Sequence, residues 1–272
     1  MSTIEVHNLG SGSSGNALLL RAAGQSLLID CGIPRAAIRR ALASHDLGLS
    51  ALTAVAVSHE HGDHVGSLEH LPAPVPRHAT PGTLAALGRH RRDAFPLAPG
   101  ETVQTGAFAL TAIAVSHDAA QPCGYFIEAA GRRITVMTDL GRAPLHALDL
   151  LGASDLIVLE ANYDPHMLAC GPYPPRLKSR ITSGSGHLSN DDCGDLLARA
   201  LTGRSHLPVV WLAHLSKTNN RPRLAEETVT RRLQLAGLPV QAIAMIRSGG
   251  NAWLGEPGPA GHPRPVQLGL GL

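Results

Sequence analysis

The stretch Ser58-His59-Glu60-His61-Gly62-Asp63-His64 decides the reading of this chain. It follows an apolar run, Leu52–Val57, that reads as a buried strand. On leaving a strand, His59 and His61 are two residues apart and point the same way, while Asp63 and His64 fall where the chain turns into a helix. One short segment can therefore serve two neighbouring cations, and Gly62 gives the freedom for a tight turn against them. A solvated loop can carry isolated histidines, but three histidines and an aspartate within six residues, directly after a strand, form a far more specific pattern. Glu60 lies between these residues and is expected to project away in a structural role.

A metal site needs further ligands, and three candidates also stand at strand ends. His117 follows Phe108–Val115, Asp139 follows Arg133–Met137, and His214 follows Val209–Ala213. The composition agrees: 15 histidines accompany only 3% aromatics, and neutral imidazole is the commonest metal-binding side chain. The four cysteines, Cys31, Cys123, Cys170 and Cys193, form no CxxC pair, which argues against a disulfide framework and against a cysteine zinc site.

Outward from this segment, strand-like runs at Ile4–Leu9, Ala17–Arg21 and Ser26–Asp30 predict a hairpin, and helical spacing follows Pro34. Helices are expected over His64–Leu71, Thr80–Arg92, Pro144–Leu151, Asn190–Leu201 and Pro222–Ala236. Strands are expected over Phe108–Val115, Gly124–Ala129, Arg133–Met137, Leu156–Leu159, Val209–Ala213 and Val240–Met245. Two blocks of strands, each followed by helices, suit an α/β chain folded as a four-layer αββα sandwich. Residues 1–255 are expected to form one catalytic domain, and the Gly/Pro-rich residues 256–272 a mobile tail. With 44% hydrophobic and 16% charged residues, the chain is of globular type. It has no apolar run long enough to span a membrane, and Met1–Glu5 lacks the basic start and apolar core of a signal peptide, so a cytoplasmic location is expected. A formal charge of +2 is too small to imply nucleic-acid binding by itself.

Taken in order, these residues resemble the metallo-β-lactamase superfamily, whose pattern is HxHxDH followed by a histidine, an aspartate and a last histidine. All seven positions are filled. The resemblance implies His59, His61 and His117 on one metal, Asp63, His64 and His214 on the other, and Asp139 bridging both. Imidazole-rich ligands make Zn²⁺ the first choice of divalent ion, and the carboxylates also admit Mn²⁺. Further motifs narrow the likeness. Gly10–Asn16 (GSGSSGN), His117-Asp118-Ala119 with Gly124-Tyr125, Leu159-Glu160-Ala161-Asn162, Arg180-Ile181 with Gly186–Asn190, and His214-Leu215-Ser216 with Asn219-Asn220 resemble the YycJ-type (WalJ) subgroup over Ile4–Leu254. That subgroup implies a 5′-to-3′ DNA exonuclease.

Chemistry can be argued from the residues themselves. Two divalent ions about 3.5–4 Å apart share a water, lower its pKa and clamp the attacking and leaving oxygens, so the nucleophile is expected to be a metal-bridging hydroxide. Asp63 is placed both to ligate and to act as general base. Asp118, beside His117, is expected to accept the outer N–H of that imidazole. His187 resembles the Gly-His motif with which related nucleases contact the scissile phosphate, and is assigned to catalysis rather than to a metal. Ser189 and Asn190 also read as N-caps of the helix that follows it. Two basic clusters, Arg176, Lys178 and Arg180 before that motif and Lys217, Arg221 and Arg223 after His214, are candidates for holding a phosphodiester backbone. Gly10–Asn16 lacks the Gly-Lys-Ser/Thr ending of a nucleotide-binding loop, and Ser13, Ser14 and Asn16 are instead candidate substrate contacts, as are Asn219 and Asn220. The competing reading is a small-molecule hydrolase, for example a cyclic phosphodiesterase, because one fold presents the same metals to many substrates.

Overall fold

The computed structural model describes residues 3–88, 93–256 and 266–267. In chain order the elements are β1 (Ile4–Gly10), β2 (Ala17–Ala22), β3 (Gln25–Ile29), α1 (Arg35–Ala43), β4 (Ala54–Ala56), α2 (Gly62–Val65), β5 (Arg77–Ala79), α3 (Pro81–Leu87), β6 (Ala94–Pro96), β7 (Thr102–Thr105) and β8 (Phe108–Ala114). They continue as β9 (Cys123–Ala129), β10 (Arg132–Met137), α4 (Ala147–Gly152), β11 (Leu156–Glu160), α5 (Pro165–Cys170), α6 (Pro175–Ile181), α7 (Asn190–Leu201), β12 (Val209–Ala213), α8 (Pro222–Leu235), β13 (Ala242–Ala244), β14 (Ala252–Gly255) and β15 (Val266–Gln267). Two mixed sheets flanked by helices result, the α/β class expected from the sequence. No helix of the described residues is long and apolar enough to cross a membrane.

The chain divides into two compact units. Met1–Ile113, Ala119–Arg132 and Ile246–Leu272 form the first; Ala114–Asp118 and Arg133–Met245 form the second. The first holds an eight-stranded sheet in the order β15-β14-β1-β2-β3-β4-β5-β6. Its meander β1-β2-β3 is antiparallel, with Val6 opposite Leu20 and Leu19 opposite Leu28, and β4 then joins β3 in parallel. In β1, buried Ile4 and Val6 alternate with half-buried Glu5 and His7, as one covered face requires. Leu19, Leu28, Ile38, Leu42, Val55, Val57 and Leu68 form the core beneath β4, and so fix the strand end from which the histidine segment emerges. In the second unit β10, β11, β12 and β13 run parallel and carry near-continuous buried runs such as Leu156–Glu160. Tyr163, Leu168 and Ile181 pack α5 against α6.

Several expectations need correction. The helix expected over His64–Leu71 is broken into the single turn α2 and a 3-10 turn, Leu68–His70. The His64 carbonyl is diverted to the Cys31 N–H at 2.8 Å, and the Ser67 N–H to the Cys31 carbonyl at 2.9 Å, so the helix ladder cannot continue. The expected helix Thr80–Arg92 ends at Leu87, before Gly88 with φ of 52°, and its residues 89–92 lie outside the described residues. Helices α5 and α6 were not expected: Pro165 and Pro175 mark their first turns, and Asp164 caps α5 by accepting the Met167 N–H at 2.8 Å. The expected tail lies outside the described residues except for Glu256 and β15, which pairs with β14.

Candidate functional site

In the first unit, β4 leads through Val57 and Ser58 into the histidine segment, and His61 is the cap residue of α2. His59 and His64 are buried, with ring centroids 4.0 Å apart, and His59 Nε2 lies 3.1 Å from His61 Nδ1. The rings are held by Asp30, the residue directly after β3. Its carboxylate accepts from the Ser58 N–H and hydroxyl, both at 2.8 Å, and lies 2.7 Å from His64 Nδ1. With Nδ1 donating to Asp30, the His64 lone pair is on Nε2, which lies 3.7 Å from an Asp63 oxygen. Glu60 Oε1 accepts the Ala120 N–H at 2.8 Å, in keeping with a structural role.

In the second unit the site is assembled at the ends of parallel strands. Asp139 follows β10, Glu160 ends β11 and His214 follows β12, while His187 precedes α7. Asp139, Glu160, His187 and His214 offer ligand atoms that all lie within 4.8 Å of one another. Glu160 is fully buried. Its Oε1 is 2.8 Å from His187 Nδ1 and 3.0 Å from His214 Nδ1, and its Oε2 accepts the N–H groups of Leu140 and Leu188. Burial opposes ionisation of Glu160, yet the charge of His187 and the hydrogen bonds from both histidines outweigh it and hold the carboxyl below its usual range. Burial likewise opposes a charge on His187, and Glu160 outweighs it, so the imidazole keeps its proton above the ordinary range. His117 is lowered, chiefly by burial. Buried imidazole and carboxylate oxygen are the donor chemistry of a divalent-cation site, and the side chains present fit such an ion.

Asp30, Asp139 and His214 share a backbone feature, with φ of 57°, 55° and 55°. A left-handed residue just past a strand end breaks the extended backbone and turns the chain sharply.

The sequence missed Asp30 and Glu160 as parts of the site. Each is a carboxylate at the end of an apolar strand, the same signal that singled out Asp139. His117 has two candidate outer partners: its Nδ1 faces the Gly186 carbonyl at 3.2 Å, while Asp118, expected in that role, lies 3.3 Å from Nε2 and binds Arg180 at 2.6 Å. Arg180 is thus brought to the site. Lys178 instead donates to the Ala169 carbonyl at 2.7 Å, and Lys217 is exposed. Ser13 and Ser14 are exposed in their turn. Asn16 is buried, accepts the Gly12 N–H at 2.8 Å and lies 3.1 Å from His64 Nε2, so it braces the framework beside the histidine segment. The Asn220 amide spans Ala161, Asn162 and Asn190, and Asn219 beside it is also buried.

The model of the beta-lactamase superfamily domain matches residues 25–209. The chain is 31% identical over 239 residues to exodeoxyribonuclease YycJ of Bacillus anthracis, covering 85% of this chain and 90% of that protein. It is 32% identical over 243 residues to exodeoxyribonuclease WalJ of Streptococcus pneumoniae, covering 85% and 89%. The crystal structure of the metallo-beta-lactamase fold protein YhfI from Bacillus subtilis superposes with a TM-score of 0.71 at 17% identity, over 94% of this chain and 100% of that one, a likeness of fold. Strand order, histidine clusters and sequence likeness over most of both chains agree: this chain belongs to the beta-lactamase superfamily and, within it, to the YycJ/WalJ family.

Proposed function

We propose that the protein is a metal-dependent exodeoxyribonuclease that removes nucleotides in the 5′-to-3′ direction. The observation that carries the reading is the carboxylate clamp found in each unit, Asp30 on Nδ1 of His64 and Glu160 on Nδ1 of His214, which supports Nε2 of each imidazole as the lone-pair nitrogen a metal ion would take. Its nuclease character is supported by the names of these relatives. The ligand set we assign is His59, His61 and His117 for one ion, Asp63, His64 and His214 for the other, and Asp139 for both, with Zn²⁺ or Mn²⁺ as the ions. Residues 1–255 act as one catalytic domain, in the cytoplasm.

Two bound divalent cations supply a water of lowered pKa and neutralise charge on the attacking and leaving oxygens. This chain's residues do the rest. Asp63, in the first turn of α2, takes up the proton of the attacking water. His187, kept protonated by Glu160, donates a hydrogen bond to the scissile phosphate and a proton to the leaving oxygen. Arg180, Lys217, Ser13 and Ser14 contact the backbone of the strand, so binding is led by phosphate and independent of sequence.

The test is digestion of 5′- and 3′-labelled single- and double-stranded DNA and RNA with Zn²⁺ or Mn²⁺. Stepwise release from the 5′ end of DNA is expected. Failure to cleave any of these with metal bound would overturn the reading.

A further inference from the structure

In the second unit a cavity of about 460 Å³ opens between helix α7 and the backbone that carries the site. Its wall includes Gly141 and Arg142, just past Asp139, and Ser183 and Gly184, just before His187. This wall is tied to the residue preceding His117: the Gly141 N–H donates to the Ser116 carbonyl at 2.9 Å, and the Ser116 hydroxyl to the Gly184 carbonyl at 2.7 Å. The two glycines are needed for the approach. A Cβ on Gly141 would lie 2.5 Å from the Ser183 carbonyl oxygen, and one on Gly184 would lie 2.9 Å from Arg142 Nε, so the guanidinium rests across Gly184.

Four charged side chains line the cavity, and they are not equivalent. Asp195 is paired with Arg232 at 3.0 Å, while Asp192 accepts the Ser189 hydroxyl at 2.6 Å where α7 begins and keeps its negative charge, so the two arginines leave the lining with a net positive charge of one. Arg142 and Arg199 have no ion-pair partner among the described residues. The cavity therefore offers two uncommitted guanidinium groups, whose planar forks match phosphate oxygens. Its volume falls within the roughly 300–1,000 Å³ of small-ligand sites.

We propose that this cavity is a nucleotide subsite, in which Arg142 and Arg199 hold a non-scissile phosphate of the nucleotide beside the bond being cut. The proposal rests on the exonuclease reading for its substrate and on the cavity alone for its ligand. Because its floor is the backbone that presents Asp139 and His187, a nucleotide seated there registers the next phosphate against both residues.

The test is calorimetric titration of dAMP into the wild-type protein and into R142A/R199A, alongside KM measurements on a DNA strand. An R35A/R39A variant of α1 removes the same charge elsewhere. About tenfold weaker dAMP binding and a KM raised about tenfold are expected in R142A/R199A, the loss of roughly one charge-assisted contact, with R35A/R39A matching wild type. R142K/R199K should recover part of the affinity. Unchanged dAMP affinity in R142A/R199A overturns the proposal, as does weakened dAMP binding with an unchanged KM for DNA, which would leave a pocket for a free nucleotide only. Arginine-dependent dAMP binding in a wild-type protein that cuts no DNA would refute the exonuclease reading and with it the subsite's role in cleavage, whereas DNA cleavage with arginine-independent dAMP binding would refute the subsite alone, so the two failures are distinguishable.

Discussion

Asp30 and Glu160 hydrogen-bond histidines of the site, and their chemistry sets what those histidines can do. A carboxylate on Nδ1 fixes the tautomer and raises the basicity of Nε2, an effect usually worth 10–100-fold in metal affinity. Asp30→Ala is expected to weaken metal binding by about that factor in competition with a chromogenic chelator, and unchanged affinity would detach Asp30 from the site. Glu160 also holds the proton on His187. A protonated donor is lost as pH rises through its pKa, so Glu160→Gln should move the basic limb of the rate profile to lower pH. A profile that stays in place would give the proton-donor role to another group. His187→Ala should keep its metal and slow turnover by about 10²–10⁴-fold, the range for a lost general acid. Metal loss in that variant would make His187 a ligand. Glu60→Ala should be mild, because that side chain serves the Ala120 N–H.

At the level of elements, the turn after β3 and the histidine segment are built against each other with no room to spare. A Cβ at Gly32 would overlap the Asp63 carbonyl, while Gly66 brings its own backbone close to Gly32. Gly32→Ala should therefore cost about 1–3 kcal/mol, read as a lower denaturant midpoint, and should weaken metal binding as the segment shifts. A variant of wild-type stability and affinity would show that this packing does not position Asp63. The same junction explains what the sequence could and could not disclose. Buried runs such as Val209–Ala213 and the cleanly capped helix Asn190–Leu201 were legible to the residue, because local pattern and tertiary burial agree there. The interruption after Val65 was not, since it depends on hydrogen bonds to Cys31, more than thirty positions away. Asn16, Asn219 and Asn220 read as polar contacts from their types alone, and only burial shows Asn16 and Asn220 bracing the framework.

For the molecule as a whole, bound cations act as ligands of the native state. Stabilisation follows RT ln(1 + [L]/Kd), about 2.7 kcal/mol at one hundred times Kd, so a chelator should lower the melting temperature and added Zn²⁺ or Mn²⁺ should restore it. A melting curve indifferent to chelator would argue against a tightly held metal. The backbone turns at the strand exits carry a different lesson. Asp30, Asp139 and His214 occupy a conformation that favours glycine by about 1–2 kcal/mol, and Asp139 and His214 are buried among other polar groups as well. Glycine at 139 should thus tend to toughen the protein while disarming it. A laboratory selection for heat resistance alone would drift towards well-folded, inert descendants, and any programme to harden this enzyme must score survival and turnover together.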